Sequence, residues 1–283
     1  MLKLRTFLCI ALTAAAAAAA GMKMFSAVPA ISQNDGIALP IVMYHSVLKN
    51  AELSGKYIIT PDCFINDIKY LKERGYTSVS MRQLIDYVDN GAQLPEKPVM
   101  LTFDDGSYNN YEYVLPILEE YDEHAIFCIV GKYTDDCTET NEANPAYGYM
   151  RWIDVYNMYT NSHAEIANHS YNFHKYSEGR NGSKKNKGES AEKYKEIFRE
   201  DTLKLQNGCL SRLKFAPNIY AYPFGAYSKE SLDVLKELGF RSSLTCNEGV
   251  NVITRNPDDL FFLKRYNRPN DISSEAFFSK MLE

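Results

Sequence analysis

The chain has 283 residues, 45% of them hydrophobic and 24% charged, which excludes collagenous, disordered and multi-span membrane classes and is enough for one large domain. Its 31 Lys and Arg against 36 Asp and Glu give a formal charge of −5, with no basic field of the kind that binds nucleic acid. Three of those basic residues, Lys3, Arg5 and Lys23, lie in the first thirty positions, so the remainder carries 28 basic against 36 acidic groups, or −8.

In chain order, residues 1–30 come first. An uncharged, Ala-rich run of 17 residues between Arg5 and Lys23, followed by Ala27-Val28-Pro29-Ala30, has the layout of an export signal: basic start, apolar middle, small residues at the end. The run is slightly short for a bilayer span, so both a cleaved signal and an uncleaved membrane anchor fit. Residues 31–38 read as a short linker and 39–283 as a single domain. Any membrane attachment falls to the N-terminal segment, and the body is expected to be an exported, monomeric protein of the extracellular space or cell envelope. Five of the six cysteines, Cys63, Cys128, Cys137, Cys209 and Cys246, lie in this body at scattered positions. They read as buried apolar residues with at most one or two bridges, Cys128 and Cys137 being the pair to test.

From Leu39 onward short apolar or β-branched runs alternate with stretches of helical period, the pattern of β-α units around a parallel sheet. Strands are predicted at 41–44, 76–79, 99–103, 125–130, 165–168, 219–222, 241–245 and 261–265, a barrel-like number. Helices are predicted in the stretch opened by Thr60-Pro61 with Phe64, Ile68 and Leu71 on one face, and at 81–89, where Gly91 supplies the stop. Further helices are predicted at 111–121, 153–160, 191–213, 229–238 and 274–282. The polar segment 177–189 reads as a mobile surface loop.

Polar residues gather at the predicted strand ends. Thr102-Phe103 runs into Asp104-Asp105-Gly106, where two adjacent carboxylates repel unless a cation compensates. That pattern suits a metal ligand beside a general base, or else an Asp-Gly turn capping the next helix. After Asn168 come His169 and His174. Five residues apart, they would sit about 140° apart on a helix, so joint ligation requires a loop that curls both inward. Tyr222-Pro223-Phe224-Gly225 is a strand running into a turn, Tyr44-His45 ends another strand in a titratable ring, and Lys264-Arg265 ends the last one. In a closed α/β barrel all of these fall on the face where active sites are built.

These residues resemble the polysaccharide deacetylases with the NodB-homology domain, carbohydrate esterase family four, over roughly residues 39–281. Thr102-Phe103-Asp104-Asp105-Gly106 is similar to the family's first motif, His169-Ser170 with His174 to its second, and Tyr222-Pro223-Phe224-Gly225 to its third. Trp152 through His169 resembles the stretch before the second motif. The resemblance implies a distorted (β/α) barrel of about seven strands. It also implies one divalent metal, usually Zn2+ although Co2+, Ni2+ or Fe2+ suit the same ligands, held by Asp105, His169 and His174.

Asp104 would then be the general base. The chain departs from the family pattern at Ala221, where many members carry an Arg, and after His174, beyond which no His remains to act as a late general acid. The wide His spacing and Tyr44-His45 resemble the branch acting on poly-N-acetylglucosamine, which implies His45 as the acid. Arg265 is the candidate to replace the missing Arg. Phe224, Pro223, Tyr222, Trp152 and Tyr227 are candidates for the oxyanion site and sugar groove. The implied activity is metal-dependent removal of N-acetyl groups from an amino-sugar polysaccharide, a poly-N-acetylglucosamine exopolysaccharide or peptidoglycan. The alternatives are a catalytically weakened carbohydrate-binding protein on the same fold and an O-acetyl xylan esterase.

Overall fold

A computed structural model of the chain describes residues 36–177 and 179–282. The expected export signal or anchor at 1–30 lies outside the described residues. Within residues 36–282, eight short strands form one all-parallel sheet: β1 (Ile41–Tyr44), β2 (Thr77–Ser78), β3 (Pro98–Phe103), β4 (Ala125–Ile129), β5 (Ala164–Asn168), β6 (Ile219–Ala221), β7 (Ser242–Leu244) and β8 (Tyr266–Asn267). The order is β7-β6-β5-β4-β3-β1-β8, with β2 joined to the start of β3. The helices are α1 (Pro61–Glu73), α2 (Met81–Asn90), α3 (Leu115–Tyr121), α4 (Gly131–Thr140), α5 (Trp152–Tyr159), α6 (Ala191–Leu213), α7 (Ser231–Glu237) and α8 (Ser274–Leu282). This is the distorted α/β barrel expected from the sequence.

Local chemistry accounts for the boundaries. The Thr60 side chain accepts from Cys63 N and Pro61 opens α1, whose Phe64, Ile68 and Leu71 are buried. Ser80 and Gln83 form a capping box on α2, and Gly91 stops it at φ 76°. The Ser190 cap starts α6 at the residue the sequence predicts.

Strand alternation sorts the core into two layers. Tyr44, Phe103 and Phe127 face outward and stack in a row at 4.9 and 5.2 Å, with Phe64 of α1 edge-on to the first two. The opposite parity, Ile41, Met100, Ile126, Cys128, Ala167, Ile219 and Leu244, fills the barrel interior. At the bottom, Glu165 accepts from the backbone N–H groups of Met81 and Arg82, so the N-terminus of α2 closes that end.

Several expectations need correction. The predicted strand 261–265 is broken at Phe262, whose φ of 58° is left-handed. Leu263 forms an isolated bridge to Leu244 of β7, and the strand that pairs with β1 is Tyr266–Asn267, so one segment closes the barrel in two discontinuous steps. Ile37–Leu39 pairs antiparallel with Asn251–Ile253, so the end of the presumed linker belongs to the folded body. The helix at 111–121 begins as a π turn over Asn110–Val114, and α4 adds a helix to those predicted. The 177–189 segment holds a small hairpin, Tyr176–Ser177 with Arg180–Asn181, and Arg180 is paired with Glu189. Cys63, Cys128, Cys137, Cys209 and Cys246 are all free thiols, so Cys128 and Cys137 are not bridged. Among the described residues no helix is long and apolar enough to cross a membrane.

Candidate active site

The inward columns of β1, β3 and β5 each end in a polar side chain at the top of the barrel. Ile41 and Met43 lead to His45, Met100 and Thr102 to Asp104, and Ala167 to His169, each two residues apart. Strand period therefore brings together three groups that lie far apart in sequence. Asp105 breaks the pattern: at φ 74°, followed by Gly106 at φ 72°, its backbone is left-handed and redirects its carboxylate. A Cβ on residue 106 would stand 3.2 Å from the Cα of Ile129, so glycine is required there on two counts. Left-handed backbone at a non-glycine residue costs on the order of 1–3 kcal/mol and is a common mark of functional sites.

Asp105, His169 and His174 present ligand atoms that all lie within 4.8 Å of one another. His169 Nε2 is 3.5 Å and His174 Nε2 2.9 Å from Asp105 Oδ1. The Nδ1 of His169 is 2.9 Å from the carbonyl of Ala221, which fixes the ring and aims Nε2 at the carboxylate. Asp105 Oδ1 is buried and has no hydrogen-bond partner despite these two close nitrogens. A carboxylate oxygen in need of a partner, two imidazole nitrogens converging on it and an outer acceptor orienting one ring are what a divalent cation site requires, so the donor set fits the implied metal. Burial alone would raise the Asp105 carboxyl, but the two imidazoles of His169 and His174 close to it hold it well below the usual carboxylate range.

Asp104 is buried and receives Arg265 in two parallel bonds, Nη1 to Oδ1 at 2.7 Å and Nη2 to Oδ2 at 2.8 Å. Arg265 is fully buried and is itself held by the Thr245 carbonyl at 2.8 Å and by Thr102 Oγ1 at 3.1 Å. Burial pushes the Asp104 carboxyl up, yet Arg265 foremost, with His169 behind it, keeps it far below the ordinary value, so it is ionised. Burial lowers the His169 ring, but the charges of Asp104 and Asp105 outweigh this and raise it. His45 goes the other way: burial lowers it, and the same two aspartates offset that only in part.

These groups open into a cleft of about 620 Å³ whose walls include Met43, His45, Asp104, Asp105, His174 and Phe224. His45 packs against Tyr57 at 4.8 Å, and Phe224 lies between His174 at 4.4 Å and Tyr176 at 4.8 Å, stacked on the latter. Tyr176 is 72% exposed. Phe224 is left-handed at φ 57° within the short turn Pro223–Gly225, which throws its ring outward over the cleft.

The structure thus gathers His45, Asp104, Asp105, His169, His174, Arg265 and Phe224. It does not bring the other aromatic candidates to the cleft. Trp152 is buried against α6 with its N–H on Asp135. Tyr222 is fully buried, its hydroxyl 2.7 Å from Ser231 Oγ, and Tyr227 packs its ring at a tilt against Tyr222 and Phe262. Pro223 is buried and serves to begin the turn that carries Phe224. Sequence reasoning passed over Tyr57 and Tyr176, whose exposure is visible only once the cleft is formed. It also passed over Tyr133, whose hydroxyl donates to the His174 carbonyl at 2.9 Å.

A parallel barrel that gathers an Asp-His-His cluster able to hold a metal ion beside an Arg-clamped aspartate at its C-terminal strand ends has the layout of a barrel enzyme. The sequence pattern of the polysaccharide deacetylases matches residues 91–243, and the chain belongs to that family. It is similar to the poly-β-1,6-N-acetyl-D-glucosamine N-deacetylase of Escherichia coli (strain K12), 25% identical over 228 residues, 74% of this chain but 34% of the relative. It is likewise 25% identical over 205 residues to the Staphylococcus aureus (strain MSSA476) protein of the same name, covering 72% of this chain and 66% of that one. Among solved structures, a de-N-acetylase from Aggregatibacter actinomycetemcomitans superposes with a TM-score of 0.70 at 26% identity over 86% of this chain and 98% of that one. The chain spans about a third of the length of the Escherichia coli relative.

Proposed function

We propose that this protein is a metal-dependent N-deacetylase that hydrolyses acetamido groups on a poly-N-acetylglucosamine-type polysaccharide, acting outside the cytoplasm after export by its N-terminal basic and apolar segment. The observation that carries this reading is the placement of the Asp105-His169-His174 cluster and the Arg265-held Asp104 in one cleft with His45. The substrate class rests on the relatives named above and on the aromatic walls of the cleft.

Asp105, His169 and His174 would hold the cation, which when bound supplies Lewis acidity toward the acetyl carbonyl and acidifies the attacking water. Zinc is the ion this reading assigns to them. Asp104, kept ionised by Arg265, accepts the water's proton on its carboxylate. The N–H of Phe224 donates to the oxygen that gains charge as the carbonyl carbon becomes tetrahedral, a contribution of about 3–4 kcal/mol for a well-aimed donor. Collapse breaks the C–N bond, and His45 delivers the proton that the departing amine needs, leaving acetate and a free amino sugar. Because burial lowers the His45 ring, its acid role depends on receiving a proton within the site, and Asp104, which lines the same cleft, is the carrier this reading assigns.

His45→Ala tests the assignment. Turnover should fall by about 10²- to 10⁴-fold, the usual worth of a general acid, with bound metal unchanged. Loss of metal instead would make His45 a ligand and remove it from proton transfer.

A further inference from the structure

His169 and His174 are separated by a loop that reverses tightly enough to return both rings to Asp105. Four successive amides in it, from Ser170 to Phe173, each donate to a side-chain oxygen. Ser170 N–H goes to Asn168 Oδ1 at 2.8 Å, and Phe173 N–H to Ser170 Oγ at 3.1 Å. Between them, Tyr171 N–H and Asn172 N–H go to the two oxygens of a single carboxylate, Asp201 Oδ1 and Oδ2, both at 2.8 Å. Ser170 lies in the loop itself, and Asn168 ends β5 with its amide donating to the Thr202 carbonyl and Gln206 Oε1 of α6, both at 3.3 Å. Asp201 is anchored on the same helix, whose Tyr194, Phe198 and Leu205 are fully buried. At the far end of the loop, Tyr133 of α4 donates its hydroxyl to the His174 carbonyl. Ser170 sits at φ 69°, a left-handed conformation for a non-glycine residue that the surrounding bonds must maintain.

We infer that Asp201 and Tyr133 are positioning residues for the metal site: from separate helices they hold the middle and the far end of the 169–174 loop and so set the five-residue spacing of the histidines to chelating geometry. The inference rests on the metal reading of Asp105, His169 and His174. A carboxylate is suited to the role because it offers two acceptors to two adjacent donors. In Asp201→Asn one oxygen becomes an NH2 group, which confronts a backbone N–H with a second donor while the side-chain shape is preserved.

The test uses the full chain and zinc alone, measured by competition with a chromophoric chelator, together with the visible absorption spectrum of the cobalt-substituted protein. Asp201→Asn and Tyr133→Phe should each fold by circular dichroism yet bind zinc about 10- to 100-fold more weakly, the usual effect of losing a partner that orients a ligand. The cobalt bands should shift or lose intensity as well. Glu200→Gln, an exposed neighbour on α6, should match the wild type in both measurements. Should Asp201→Asn lack native circular dichroism, Tyr133→Phe decides the matter by the same two readouts. Wild-type zinc affinity and an unchanged cobalt spectrum in the folded variants would overturn the inference alone. Failure of the wild type to bind zinc would overturn the metal reading and this inference with it.

Discussion

At the scale of single residues, the central relation is between Asp104 and Arg265. Arg265 enters the site from a segment that is 161 positions away in sequence, fully buried, with both terminal guanidinium nitrogens, Nη1 and Nη2, on one carboxylate. An ion pair of this kind is costly to break from one side, about 3–5 kcal/mol, because the remaining charge stays buried and unpaired. It also sets the pH range of the proposed base. Asp104 acts when ionised, so activity is present above its pKa and is lost as pH falls through it. Arg265 depresses that value, and Arg265→Met should move the acid limb of kcat/KM to higher pH by about 1–3 units. An unchanged acid limb in a folded Arg265→Met protein would separate Arg265 from the base. The motif residues Asp104, Asp105, His169 and His174 were legible in sequence because their chemistry is rare at strand ends. Arg265 was legible only as a cation placed at the right end of a predicted strand, since its partner is fixed by barrel closure.

At the scale of elements, the short turn Pro223–Gly225 and the hairpin that starts at Tyr176 form one wall of the cleft, and Tyr57 with His45 forms another. The stacked Tyr176 and Phe224 rings offer an apolar face that, on the proposed function, would seat a sugar ring. Tyr176→Ala should therefore raise KM by about 3- to 10-fold, corresponding to an aromatic contact worth roughly 0.5–1.5 kcal/mol, and leave kcat nearly unchanged. A fall in kcat of the same size would place Tyr176 in the chemistry instead. This wall also explains which aromatic assignments failed. Trp152, Tyr222 and Tyr227 are aromatic like Phe224, but strand parity and helix packing turn them into the core. The left-handed backbone of Phe224 is what turns one ring out, and no propensity foretells it. The same effect at Phe262 broke the expected strand at 261–265, whereas α1, α2 and α6 followed their sequence caps closely.

At the scale of the whole molecule, the barrel separates a charged rim from an apolar interior, and buried titratable groups away from the rim give its stability a pH dependence. His124, at the opposite end of the barrel from the cleft, is pushed down to about 4, chiefly by burial and then by His163 and Arg82. Unfolded, it would titrate near 6.5, so between these values the unfolded chain binds more protons than the folded one. Stability is therefore present above pH 6.5 and is lost as pH falls toward 4, by on the order of 3 kcal/mol from this group. Asp201, raised to about 6 mainly by burial, acts in the opposite sense, contributing stability at low pH that is lost as pH rises from about 4 to 6. His124→Leu should flatten the loss of thermal stability between pH 6.5 and 4. An unchanged slope in that variant would mean that other groups govern the acid side.

The account as a whole turns on whether this cleft removes acetyl groups from an amino-sugar polymer by way of Asp104. The direct measurement is acetate release by the zinc-loaded full chain from β-1,6-linked N-acetylglucosamine oligomers, with chitin oligomers and peptidoglycan in parallel and Asp104→Asn as the paired variant. The expected result is release by the wild type, greatest on the β-1,6-linked oligomers, and loss of turnover in Asp104→Asn with its zinc content intact. No acetate from any of the three polymers, or equal release by zinc-loaded Asp104→Asn, would contradict the account.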